Sequence, residues 1–186
     1  MQGRDGAAMV SQDIQDRREA YLEIMHAHGT KSPAEISASI RETQSQLLDV
    51  LNGWSDADAL WKPAPAEWCI RDLALHAMFT ERLVAKLVHY TARGAFPPAA
   101  DLAGAGIGMM PADDGRAYRQ VLDDLRAAND ALIETVGELR GEPDVKTQAT
   151  HPFFGPLNCL EWAGFQRVHD LDHIQHAEKI RAGYAR

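Results

Sequence analysis

The chain has 186 residues, of which 45% are hydrophobic and 25% are charged, and its formal net charge at pH 7 is −8. This size and composition predict one compact domain with a substantial core. The acidic balance, without a dense run of Lys or Arg, argues against nucleic-acid binding. The start of the chain is too polar for a secretory signal, and no apolar run approaches the roughly 20 residues that span a bilayer. We therefore expect a cytoplasmic protein that does not bind membranes.

The N-terminal third of the sequence predicts two helices. The first covers about residues 11–28, has one apolar side and ends at Gly29, whereas residues 1–10 are expected to be frayed. The second begins at Ser32-Pro33, because serine is a common N-cap and proline is favoured in the first turn. Its apolar stripe ends at Asn52-Gly53.

Two further helices and a long loop follow. One helix is predicted from about Cys69 to Arg93. The segment from Ala95 to Asp113 is rich in Gly, Pro and Ala and is long for a connection, which makes it a candidate lid or crossover. The next helix is predicted from about Asp114 to Arg140, and Pro143 to Pro156 is expected to be an extended connection.

The last helix begins with Asn158 and Glu161, a spacing typical of a capping box, and continues to about Ala182. Strand patterns are nearly absent. The predicted fold class is therefore all-α: a four-helix bundle over residues 31–186, preceded by an N-terminal tail and an additional helix over residues 1–30.

Histidines on two predicted helices are the candidate metal ligands. His169 and His173 are four residues apart, so they project from one helical face and can bind one ion. His173 and His176 form an alternative pair. The first pair is preferred because His176 lies nearer the helix C-terminus, where an imidazolium can simply favour the helix dipole. His76 lies on an otherwise apolar helical face, where a histidine is either a ligand or a core residue bonded to a neighbour. Three imidazoles leave a coordination position for water or substrate.

Other residues near these histidines are secondary candidates. Asp172 either accepts a proton from an imidazole or is a solvated helix charge. His151 is expected to line the mouth of the site. Cys69 and Cys159 lie near helix N-termini, where a thiolate is favoured, although core packing is the commoner role of cysteine. In a reduced cytoplasm both are expected to be free thiols.

Two segments of the sequence resemble the DinB superfamily. They are Glu67-Trp68-Cys-Ile-Arg-Asp-Leu-Ala-Leu-His76, and Thr150-His-Pro-Phe-Phe-Gly-Pro-Leu followed by His169-x3-His173. The resemblance covers roughly residues 33 to 183. It implies a four-helix bundle with a long connection after its second helix. It also implies a three-histidine site, formed here by His76, His169 and His173 and usually occupied by nickel, zinc or another divalent ion.

The resemblance and the histidines together predict a metal-dependent enzyme that acts on a small molecule. The ion would lower the pKa of a bound small thiol or water. Thiol transfer to a small electrophile is the preferred reaction, with the thiol as cosubstrate. Metal-dependent hydrolysis is one alternative, and a non-catalytic metal-binding or stress-response protein is another. Four aromatic residues either form apolar walls of the site or belong to the core: Trp68, Phe153, Phe154 and Trp162.

A homodimer is expected from the back of the last helix. Leu160, Leu171 and Ile174 lie opposite the histidines, and a two-fold dimer would cover this apolar ridge. Alternatively, residues 11–28 cover it within one chain.

Overall fold

A computed structural model describes residues 3–102, 114–139 and 141–185, with side chains from residue 16 onward apart from residue 101. In chain order the helices are α1 (Gly3–Gly29), α2 (Pro33–Leu51), a short 3-10 helix (Asp58–Leu60), α3 (Ile70–Thr91), α4 (Ala99–Leu102), α5 (Tyr118–Gly137) and α6 (Cys159–Tyr184). Strands β1 (Ala149–His151) and β2 (Gly155–Leu157) form an antiparallel hairpin between α5 and α6. Residues 95–102 of the candidate lid segment are described and include α4, whereas residues 103–113, with the glycine-rich stretch, lie outside the described residues.

Four helices form the bundle, and α1 packs on its outside. Helix α2 contacts α5 and α6, α3 contacts the same two helices, and α1 lies against α6. The all-α prediction with an additional N-terminal helix is therefore confirmed. None of the described helices is both long and apolar enough to cross a membrane.

Side-chain caps begin the helices that carry the site. Ser32 caps α2 and Asn158 caps α6, as predicted. Each forms a capping box with the glutamate three residues later, which the sequence predicted for Asn158. Cys69 caps α3: its sulfur accepts a hydrogen bond from the backbone N–H of Asp72, 3.4 Å away. These caps satisfy backbone donors that the first helical turn leaves unpaired, and they set where each helix begins.

Two predicted boundaries were wrong. Helix α5 begins at Tyr118 rather than at Asp114, because Gly115 adopts a φ of 72° that a right-handed helix cannot contain. Helix α1 begins at Gly3, although residues 1–10 were expected to be frayed. The good helix formers Ala7, Ala8 and Met9 continue the helical pattern upstream.

A polar layer crosses the bundle and separates two apolar clusters. Each bundle helix contributes buried polar side chains at this level: Gln44 from α2, Glu81 from α3, Asn129 from α5, and Gln166 and Asp170 from α6. One apolar cluster includes Ile36, Val84 and Trp162, and the other includes Leu47, Leu75 and Leu125. The candidate site therefore lies beside a polar break in the core.

Candidate metal site

Three histidine side chains converge between α3 and α6. The Nε2 atom of His169 lies 3.0 Å from Nε2 of His76 and 3.0 Å from Nε2 of His173. One nitrogen from each ring lies within 4.8 Å of the other two. His76 and His173 are buried, and His169 is only slightly more exposed. The structure thus brings together the three histidines singled out in the sequence, and it groups His169 with His173 rather than His173 with His176.

Burial keeps the rings of His169 and His173 neutral near pH 7. Burial and the neighbouring His76 and His151 hold the pKa of His169 well below its usual range. The pKa of His173 is also held well below its usual range. Burial is the largest cause, and the neighbouring His169, His76 and His176 add to it. Neutral imidazoles offer lone pairs, which is the form that a metal ion binds.

The arrangement of the three nitrogens suits metal binding better than it suits hydrogen bonding among the histidines. A ring nitrogen carries either one proton or one lone pair, so Nε2 of His169 cannot donate to one neighbour and accept from the other. Imidazoles on a tetrahedral ion with Zn–N bonds of about 2.0–2.1 Å would place their nitrogens roughly 3.3 Å apart. The observed 3.0 Å separations are close to that value. The residues present therefore suit a divalent cation.

A buried pair of carboxyl groups lies directly behind the histidines. Glu81 is completely buried, and Gln44 donates from its Nε2 atom to both carboxyl oxygens, at 2.9 and 3.0 Å. Asp170 is equally buried and accepts from Nε2 of Gln166 at 2.7 Å. Its Oδ1 atom lies 3.7 Å from Nδ1 of His169, just beyond hydrogen-bond range.

Burial makes both carboxyl groups hard to ionise. Burial, then the nearby Asp170, raises the pKa of Glu81 well above its usual range, and burial raises the pKa of Asp170 to about 7. Two neighbouring like charges also disfavour each other's ionisation. A cation held by the histidines would compensate the remaining negative charge.

His151 lines the same cavity and is held in one tautomer. Its Nδ1 atom accepts hydrogen bonds from the backbone N–H groups of Phe153 and Phe154, at 3.0 and 3.1 Å. Burial lowers the pKa of His151 to about 4, so the ring is neutral near pH 7 and carries its proton on Nε2. The hairpin thus adds a fixed hydrogen-bond donor to the cavity wall.

Asp172 faces α1 rather than an imidazole of the site. Its Oδ1 atom accepts from the hydroxyl of Tyr21 at 3.4 Å and lies 3.5 Å from a guanidinium nitrogen of Arg17. The side chain of Asp172 is 48% exposed. Of the two sequence interpretations, the structure favours the solvated charge, and the carboxylate nearest His169 is Asp170.

An apolar cavity of about 280 Å³ opens onto the three histidines. Its other lining residues are Tyr21, Trp68, Thr80, His151, Phe154, Phe165, Val168 and Asp172. Trp68 and Phe154 therefore line the cavity, as one of the two sequence interpretations predicted. Trp162 instead belongs to the core, and Phe153 is 45% exposed. The cavity has room for a small molecule beside the imidazole nitrogens.

Both cysteines are free and buried away from this cavity lining. Burial raises the pKa of Cys69, and it raises the pKa of Cys159 to about 11. Both sulfurs are therefore thiols near pH 7. Cys159 packs in the core, and Cys69 is both a core residue and the cap of α3.

Sequence reasoning missed Glu81, Asp170 and Tyr21. A signal existed for Glu81, because it lies three or four residues from the apolar Ala77, Met78 and Val84 and therefore shares their buried helical face. Asp170 lies about 100° from His169 around α6, so the helical wheel placed it off the inner face. No local pattern marks Tyr21, which reaches the cavity only because α1 packs on α6.

The family comparison agrees with this geometry. The family model described as the DinB superfamily matches residues 39–177, more than half of the chain, and the match includes all three histidines. Helix α1 lies outside it. No curated protein and no solved structure shows a significant match to the chain.

Proposed function

Because the chain belongs to the DinB superfamily, we propose that it binds one divalent metal ion, nickel or zinc, and activates a small thiol for transfer to a small electrophile. The ligands would be His76, His169 and His173. One observation carries the proposal: three imidazole nitrogens converge at the wall of an apolar cavity. When bound there, a divalent ion would lower the pKa of a thiol or water and so supply a nucleophile near neutral pH.

The surrounding residues have separate roles in this proposal. The rings of Trp68, Phe154 and Phe165 exclude water from the cavity and receive the apolar part of the electrophile. His151 offers its Nε2 proton to a polar atom of the substrate, because its Nδ1 atom is already occupied by two backbone donors. The three ligands leave a coordination position for the thiol, whereas a structural zinc site normally has four protein ligands.

Elemental analysis of purified variants tests the ligand assignment. The wild-type chain should carry close to one divalent ion, and His76→Ala, His169→Ala and His173→Ala should each lose it. His176→Ala is the matched control, because His176 lies on the same helix outside the convergent group. It should retain most of the metal. Full metal content in a triple His76/His169/His173 variant would refute the assignment.

A screen of small thiols with electrophiles tests the reaction. Metal-loaded protein should accelerate conjugation, and metal-free protein should not. Metal-dependent ester or amide hydrolysis without thiol transfer would replace our proposal with a hydrolase. If metal removal lowers the melting temperature and no thiol perturbs the spectrum of the cobalt-substituted protein, the ion has a structural role instead.

A further inference from the structure

Helix α1 is a fixed part of the molecule although the family match does not include it. Met25 is completely buried, and His28 is 3% exposed. A Cβ atom added to Gly164 of α6 would lie 2.8 Å from Cβ of His28, so the two helices approach closely at that glycine. His28 also reaches Ser39 of α2, with 3.2 Å between its Nε2 atom and the serine hydroxyl. These contacts hold α1 against the bundle.

One turn before Met25, α1 reaches the cavity. Tyr21 lines it together with the three histidines. The tyrosine hydroxyl donates to Asp172 of α6, and its ring lies 6.3 Å from the ring of Phe154. Arg18 donates hydrogen bonds to the backbone carbonyls of Phe153 and Phe154, at 2.8 and 3.2 Å. Tyr21 is thus held between α6 and the hairpin.

The position of Tyr21 limits what the cavity admits. Tyr21 has aromatic and aliphatic neighbours around the cavity, Phe154, Phe165 and Val168, and the cavity volume is about 280 Å³. That is close to the lower end of the range for small-molecule sites. The ring of Tyr21 occupies part of the wall beside the histidines, so a bulky apolar group fits less well than a small one, because packed aromatic side chains cannot be displaced without losing their own contacts.

We propose that Tyr21 is a specificity-determining residue, and that its ring, contributed by α1, limits the size of the apolar group that the cavity beside the histidines admits. This inference rests on the proposed function for the identity of the site. The restriction itself follows from the packing of α1 and requires no metal.

Two alcohols that differ by one fused ring test the restriction: benzyl alcohol and 2-naphthalenemethanol. Their dissociation constants are measured by NMR titration of the full chain in metal-free and metal-loaded forms. Tyr21→Ala should shift the ratio of the two constants at least tenfold in favour of the naphthyl compound. Tyr184→Ala is the matched control, because Tyr184 packs on Trp54 and Trp61, outside the cavity lining. It should leave the ratio within twofold of wild type.

A second variant keeps the test decisive if Tyr21→Ala does not fold. Tyr21→Trp should shift the ratio at least threefold against the naphthyl compound. A ratio within twofold of wild type in the folded Tyr21 variants, or no binding of either alcohol to any form, would overturn the inference. If the ratio shifts as expected in the metal-free protein but the histidines take up no metal, the proposed function fails and the restriction by Tyr21 stands.

Discussion

At the scale of single residues, the site depends on groups that are buried and carry little charge. His169 and His173 are neutral near pH 7 because burial and their neighbours disfavour imidazolium. Burial disfavours the charged form of Glu81 and Asp170 as well, and it therefore raises the pKa values of these two acids. Each of these groups depends on its neighbours, so removing one member leaves others buried without a partner.

Replacing Glu81 should therefore be costly. Glu81→Ala leaves the Nε2 donor of Gln44 unpaired and opens a cavity among all four bundle helices. We expect the free energy of unfolding to fall by about 3 kcal/mol, measured by denaturant titration of the metal-free protein. Glu134→Ala, at an exposed position of α5, should change it by less than about 0.5 kcal/mol. A loss below about 1 kcal/mol for Glu81→Ala would contradict the account of the polar layer.

His151 should contribute to acid sensitivity. Its pKa is about 4 in the folded chain, against an ordinary value of 6.5 that the unfolded chain is expected to show. Between these values the unfolded state binds a proton that the folded state does not, so stability falls as pH falls from about 6.5 to about 4. His151→Asn keeps an acceptor for the two backbone N–H groups but cannot be protonated. Across this pH range, the free energy of unfolding of His151→Asn should depend less steeply on pH than that of the wild type, by up to one bound proton. An unchanged pH dependence would count against the assignment.

At the scale of helices and strands, local sequence signals located the elements, and long-range packing decided what they do. The caps at Ser32 and Asn158 were predictable because capping depends on residues within one turn. The start of α5 at Tyr118 was not predictable, since it depends on the φ of Gly115. The hairpin was expected only as an extended connection, because strands of three residues give too short a pattern.

For the site as well, the sequence predicted what local spacing encodes and missed what depends on long-range packing. Two of its ligands share a face of one helix, and a spacing of four residues reveals that directly. The convergence of His76 with them depends on the packing of α3 against α6, which the family resemblance implied and the residue pattern alone did not. The contributions of Tyr21 and Asp170 depend on contacts between distant parts of the chain, and no single segment encodes them.

The close packing of α1 on α6 can be tested at Gly164. A methyl group there would meet the Cβ of His28 at 2.8 Å and the backbone of Met25 at 3.4 Å, and the backbone cannot move aside without shifting α1. Gly164→Ala should lower the free energy of unfolding by about 1–3 kcal/mol in denaturant titration. Gly137→Ala is the matched control, because nothing lies within 4 Å of a Cβ there. Equal stability of the two variants would show that α1 does not pack as described.

At the scale of the whole molecule, a homodimer stays a prediction. Part of the ridge that motivated it is covered within the chain, because Leu160 is buried and Ile174 packs against the core. Leu171 remains half-buried. We expect light scattering to give twice the chain mass, and Leu171→Glu to reduce it by placing a charge at the interface. A monomer mass that is independent of concentration in the wild-type chain would reject the dimer.

The account as a whole rests on an ion held by three histidines at the wall of an apolar cavity. Anomalous diffraction from crystals of the metal-loaded protein tests it most directly, because the signal locates the ion independently of any assumed ligand. We predict one peak at about 2.0–2.1 Å from the Nε2 atoms of His76, His169 and His173, with no fourth protein ligand. A peak elsewhere in the molecule, or an ion closed off by a fourth protein side chain, would contradict the account.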